Sequence, residues 1–96
     1  MNTEEKSDFF IQQLHHILLN DWDPIGISKN KDMNDEYDAY IGDLLDFLAE
    51  ENASKAQIIE FFLYIEVETM GLKPNNHRAT LVTDKVWQAF EDFLNE

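Results

Sequence analysis

"SKAQIIEFFLYIEVETMGLKP", residues 54–74, decides how this chain folds. Ser54 followed three residues later by Gln57 is a capping box, the start signal of a helix. Ile58, Phe61, Phe62 and Ile65 then recur at three- and four-residue steps, and Ile59, Leu63 and Met70 widen the stripe to one side. The stop is equally explicit. Gly71 supplies the C′ position, Leu72 the apolar contact beyond it, and Pro74 blocks continuation. A helix this apolar is expected at the centre of the fold.

Working outward, the same period recurs three more times. A first helix is expected from about Glu4 to Asn20, with Phe10, Leu14, Ile17 and Leu18 on one face. A second is expected from near Asp35, where Tyr37, Tyr40, Ile41, Leu44, Leu45 and Leu48 make the cleanest amphipathic stripe in the chain. A fourth runs from about His77 to Leu94, with Ala79, Val82, Val86, Phe90 and Phe93 inward and Trp87 at the edge. No alternating strand pattern, repeat or linker interrupts them. The reading is a single all-α domain over residues 1–96, a compact bundle of about four helices with mostly short connections.

Composition narrows the function classes. The chain has 96 residues, 44% of them apolar, with 7 Phe, 3 Tyr and 2 Trp, which is enough for a core and unlike an acidic disordered tail. Cysteine is absent, so no disulfide, thiolate metal site or cysteine nucleophile is available. No apolar run is long enough to cross a bilayer, and no signal-peptide pattern opens the chain, so a cytoplasmic location is expected. Twenty acids against seven bases give a net charge of −13. Such a potential repels nucleic acid and anionic membrane and speeds encounter with basic proteins. It also serves solubility alone.

Between the first two helices lies "NDWDPIGI", residues 20–27. The window "DWDPIGISKNKD" has the length of a calcium loop, with Asp21, Asp23, Gly26 and Asp32 at its first, third, sixth and twelfth positions. Ile25 cannot ligate at the fifth, the twelfth is not Glu, and Lys29 and Lys31 oppose a cation. A structural corner fits better. Asp23 accepts from amides two or three residues on, Pro24 presets φ, Gly26 lets the chain reverse, and Trp22 and Ile25 are pinned inward.

Catalytic chemistry finds little support. His15, His16 and His77 share no ligand spacing, and Ser7, Ser28 and Ser54 sit at caps or in the loop. No enzymatic activity, cofactor or metal is expected. Two features stand apart. Glu66 falls by helical angle inside the apolar arc of the third helix, where it either pairs with Arg78, the only arginine, or reaches outward from the arc's edge. Residues 32–51 hold eight acids and no Lys or Arg, with Glu36, Asp43, Asp46 and Glu50 within about a quarter turn of one another. Asp35, Glu36, Asp38, Asp43, Asp46 and Glu50 therefore form either an acidic plate for a basic partner or an ordinary solvated face.

The motifs "WDPIG" at 22–26, "DEYDAYI" at 35–41 and "IEVETMGL" at 65–72 resemble a group of small acidic bacterial proteins, over roughly residues 10 to 82. Some of these look like immunity proteins encoded beside contact-dependent growth inhibition toxins. The resemblance implies a bacterial immunity protein that neutralises the toxic C-terminal domain of a delivered toxin. It supplies no catalytic residue. The charge adds that the toxin is expected to be a basic nuclease, whose phosphate-binding surface an acidic plate would occupy. The alternative from a different class is a non-enzymatic structural or regulatory helical protein, monomeric or dimeric, which predicts an apolar patch left open after the bundle closes.

Overall fold

Asn2 opens the first helix by accepting the Glu5 amide at 2.9 Å. In the computed structural model, which describes residues 2–95, that helix, α1, spans Thr3–Ile17 and widens into a π-helical turn over Leu18–Trp22. Two short 3-10 turns follow, Lys31–Met33 and Asp38–Tyr40, then α2 (Ile41–Leu48). α3 (Lys55–Tyr64) widens into a second π turn, Ile65–Thr69, and α4 covers Asn76–Leu94. The described residues contain no strand, so the chain is an all-α bundle. None of its described helices is long and apolar enough to cross a membrane.

Both wide turns have the same cause and the same result. Each adds one residue to the last turn of its helix, closed by a five-residue hydrogen bond: Asp23 amide to Leu18 carbonyl, and Met70 amide to Ile65 carbonyl, both 2.9 Å. Each is followed by a left-handed residue, Asp23 (φ 38°) or Gly71 (φ 68°), which turns the chain off the axis. Beyond Gly71 the Leu72 amide reaches back to the Glu66 carbonyl at 2.7 Å, one residue farther than a Schellman closure spans.

α4 packs along both α1 and α3 and against the π turn that ends α1. It is therefore the central helix, where α3 was expected. The reason is side-chain size. Its buried face is Ala79, Val82, Thr83, Val86 and Ala89, which lets two neighbours approach closely, whereas the bulky face of α3 is only partly covered. Leu14, Leu18, Leu44, Ile58, Phe62, Val82 and Val86 form the sealed interior.

α2 is shorter than its apolar stripe suggests. It begins at Ile41, not near Asp35, because residues 35–40 are held to other parts of the molecule. The Tyr37 hydroxyl is fixed at the corner, and Asp38 bonds His15 on α1. The intervening backbone takes tighter three-residue bonds, Asp38 amide to Asp35 carbonyl and Tyr40 amide to Tyr37 carbonyl, each 3.1 Å. Glu36 consequently leaves the helical face it was expected to share with Asp43, Asp46 and Glu50.

Candidate partner-binding groove

The corner at residues 22–28 is the scaffold on which the surface is built. The Asp23 carboxylate accepts the Ile27 amide at 2.7 Å, the Ser28 amide at 3.2 Å and the Tyr37 hydroxyl at 2.8 Å. Its amide partners lie four and five residues on, not two or three. The left-handed conformation of Asp23 itself carries the carboxylate past the nearer amides. Burial pushes the Asp23 carboxyl up, but these hydrogen bonds outweigh it and hold the group below its ordinary value. Tyr37 shifts upward, chiefly through burial and further through the neighbouring Asp23, although its bond from the Ile25 amide acts the other way.

Trp22 is buried at this corner, but Ile25 is 43% exposed and Ile27 takes the inward place. Pro24 and Gly26 (φ 69°) stand in the reversal. With its carboxylate committed to two amides and a hydroxyl, Asp23 acts as architecture. Among the described residues no group of three His, Asp or Glu side chains is arranged to hold a metal.

Trp22 carries the corner into the core. Its indole Nε1 donates to Glu66 Oε2 at 2.9 Å, and its ring lies 4.9 Å from Phe62 and 6.0 Å from Tyr40. Glu66 is 0% exposed. Its other oxygen accepts Arg78 Nη2 at 2.9 Å and the Asn75 amide at 3.1 Å. Of the two readings of Glu66, the inward, paired one is what the fold adopts. Asn75 in turn caps α4 through the Arg78 amide, so one carboxylate joins the end of α1, the end of α3 and the start of α4.

Against this frame α2 and α3 leave a groove of about 790 Å³. Asp43 and Asp46 on α2 and Glu50 just beyond its end, spaced three and four residues apart, line it from one side. Gln57, Glu60, Phe61 and Tyr64 on α3 have the same spacing and line the other. Tyr40 and Phe47 complete an aromatic lining, with Phe47 and Phe61 centred 5.3 Å apart, while Tyr64 is 63% exposed. No Lys, Arg or His lines the groove among the described residues, and none of its four carboxylates has an ion-pair partner there. The arrangement brings negative charge and aromatic rings into one groove, a combination suited to organic cations.

Asp43, Asp46 and Glu50 are thus brought together, while the rest of the expected plate is not. Asp35 and Glu36 are exposed in the preceding turns, and Asp38 is occupied by His15. Sequence reasoning missed Glu60, Gln57 and Tyr64. Their signal was present: residues 57, 60, 61 and 64 form a second helical stripe beside the core stripe 58, 62 and 65.

A second, smaller groove of about 440 Å³ is apolar. Phe10 and Ile11 of α1, Leu45 and Leu48 of α2, and Phe90 and Phe93 of α4 line it. No family model, curated protein or solved structure matches this chain.

Proposed function

We propose that the chain is a binding protein for a basic protein partner, and that it serves as an immunity protein in the bacterial cytoplasm. It would neutralise the toxic C-terminal domain of a contact-dependent toxin, a nuclease-type domain, by occupation and not by turnover. The observation that carries this reading is the α2–α3 groove: Asp43, Asp46, Glu50 and Glu60 around aromatic faces, with no opposing cation in the lining. A nuclease must present Lys and Arg to phosphates, and carboxylates at comparable spacing take the place of those phosphates. The net charge of −13 favours fast capture of such a surface and disfavours nucleic acid as the ligand. Phe47, Phe61 and Tyr64 supply the apolar contact that slows release.

The test is growth rescue with co-purification. The C-terminal domain of any large toxin-like polypeptide found encoded beside this chain is expressed with and without it. Rescue together with a salt-sensitive complex supports the reading, and toxicity with neither rescue nor complex rejects it. In the complex, Asp46→Lys with Glu50→Lys lowers the association rate and flattens its salt dependence. A rate indifferent to both changes excludes the groove.

The apolar groove favours a second reading, a regulatory helical protein that pairs with another apolar surface, including that of a second copy. Ile11 is exposed at its lining, as is Leu94 near the end of α4. Sedimentation over a wide concentration range distinguishes a self-associating chain from a monomer.

A further inference from the structure

Resting on the groove reading above, we infer that the groove selects arginine over lysine, so that its occupant is a partner segment presenting arginine side chains. Charge alone does not make this distinction, because both cations satisfy a carboxylate. Three features of the groove do.

The first is the aromatic lining. Tyr40, Phe47, Phe61 and Tyr64 line the groove together with carboxylates from both of its sides, and Tyr64 is largely exposed. A guanidinium is planar and weakly hydrated, and it stacks on a ring while its edge still donates. A lysine ammonium is compact and strongly hydrated, and it gives up solvation to make the same contact. The second feature is the spacing of the acids. Asp43 and Asp46 on α2 and Glu50 in the turn beyond it line one side of the groove and Glu60 on α3 lines the other, so that a forked donor meets carboxylates from more than one side.

The third is independent of both. Gln57 lines the groove, and its side-chain oxygen Oε1 is buried without a hydrogen-bond partner. That oxygen is closed to solvent, so the Gln57 amide must turn into the groove before a donor arriving with the ligand can remove the penalty of an unpaired acceptor. A guanidinium has five N–H donors, so one arginine reaches Gln57 and still pairs with a carboxylate. An ammonium that turns toward Gln57 has fewer donors left, and no planar edge with which to reach both.

The experiment titrates the intact protein with three synthetic peptides of one length and background. They carry arginine, lysine or the neutral arginine isostere citrulline at the same three positions. Binding is followed by calorimetry at near-physiological salt. The arginine peptide is expected to bind about tenfold more tightly than the lysine peptide, and citrulline not measurably. Tyr64→Ala, a change at an exposed position that leaves the fold intact, and Gln57→Leu should each shrink the arginine-to-lysine ratio by about threefold. Circular dichroism verifies that both variants fold. Equal affinity for arginine and lysine overturns the inference and leaves the acidic groove standing. Failure of both cationic peptides, or binding indifferent to Asp46→Lys, overturns the groove reading with it.

Discussion

Trp22 and Glu66, 44 residues apart in the chain, meet through a single hydrogen bond of 2.9 Å in the interior. The bond matters because of what else Glu66 does. Its carboxylate has no access to water, and its three donors are an indole, a guanidinium and a backbone amide. A buried charge with all its partners is tolerated, and one that loses a partner is not.

Removing the guanidinium should therefore be expensive. Arg78→Ala is expected to lower stability by about 3 kcal/mol, well beyond a typical surface change. Trp22→Phe leaves the indole site apolar and is expected to cost about 2 kcal/mol or more, through the orphaned Oε2 and lost packing. Because both act on one carboxylate, the double variant should depart from additivity by about 1 kcal/mol. Urea denaturation midpoints check all three. An unchanged midpoint for Arg78→Ala would dismiss the pairing as a source of stability.

The corner makes a pH-dependent contribution. The Asp23 carboxyl lies below its ordinary value of 3.8 in the folded chain, so the unfolded chain binds protons more readily in acid. Its stabilisation is present above the unfolded value and is lost as pH falls through the lower folded one. Asp23→Asn preserves a residue that accepts the left-handed conformation, which isolates the charge. The stability gap between native and variant chains should be widest near neutral pH and close below about pH 4. A gap constant down to about pH 2 would assign the effect to shape rather than ionisation.

Gly26 and Gly71 test backbone conformation free of crowding. Both have positive φ, and a Cβ added at either would meet nothing within 4 Å. Alanine at each is expected to cost about 1 kcal/mol through conformation alone, and the two costs should add. Thermal denaturation of the single and double variants measures this. A cost near zero at Gly71 would mean that the α3 terminus relaxes.

Groove acids and core residues should behave oppositely. Asp46 faces like charges and no cation, so Asp46→Lys is expected to leave stability unchanged or raise it by a few tenths of a kcal/mol. The same substitution is expected to weaken binding of the proposed basic partner. Stability and binding that fall together would show Asp46 to be part of the frame.

The fold was legible where periodicity alone decides it. The stripe through Ile58, Phe62 and Ile65, and the stop at Gly71, need no knowledge of the rest of the chain. The start of α2 was not, since Tyr37 and Asp38 are diverted by Asp23 and His15, and no local pattern encodes those distant partners. The choice of central helix was misjudged for a similar reason. Apolar content measures how much a helix has to bury, while the small side chains of α4 determine how many neighbours it admits. Half the groove was visible in the acids of α2. The other half came from α3, whose broad apolar arc conceals a separate stripe of mixed chemistry.

The two π turns constrain how this chain can change length over evolution. Each holds a residue in excess of α-helical spacing, and Trp22 and Glu66 meet in that phase. Losing one residue between Leu19 and Asp21 would turn the Asp23-to-Leu18 bond into an ordinary α-helical one and leave Trp22 close to its present direction. Losing one between Val67 and Thr69 would do the same for the Met70-to-Ile65 bond. A deletion in the regular part of α1 or α3 has no such slack and would rotate everything beyond it by about 100°. The polar stretch at residues 29–34, exposed apart from Met33, is where relatives of this chain are free to differ in length.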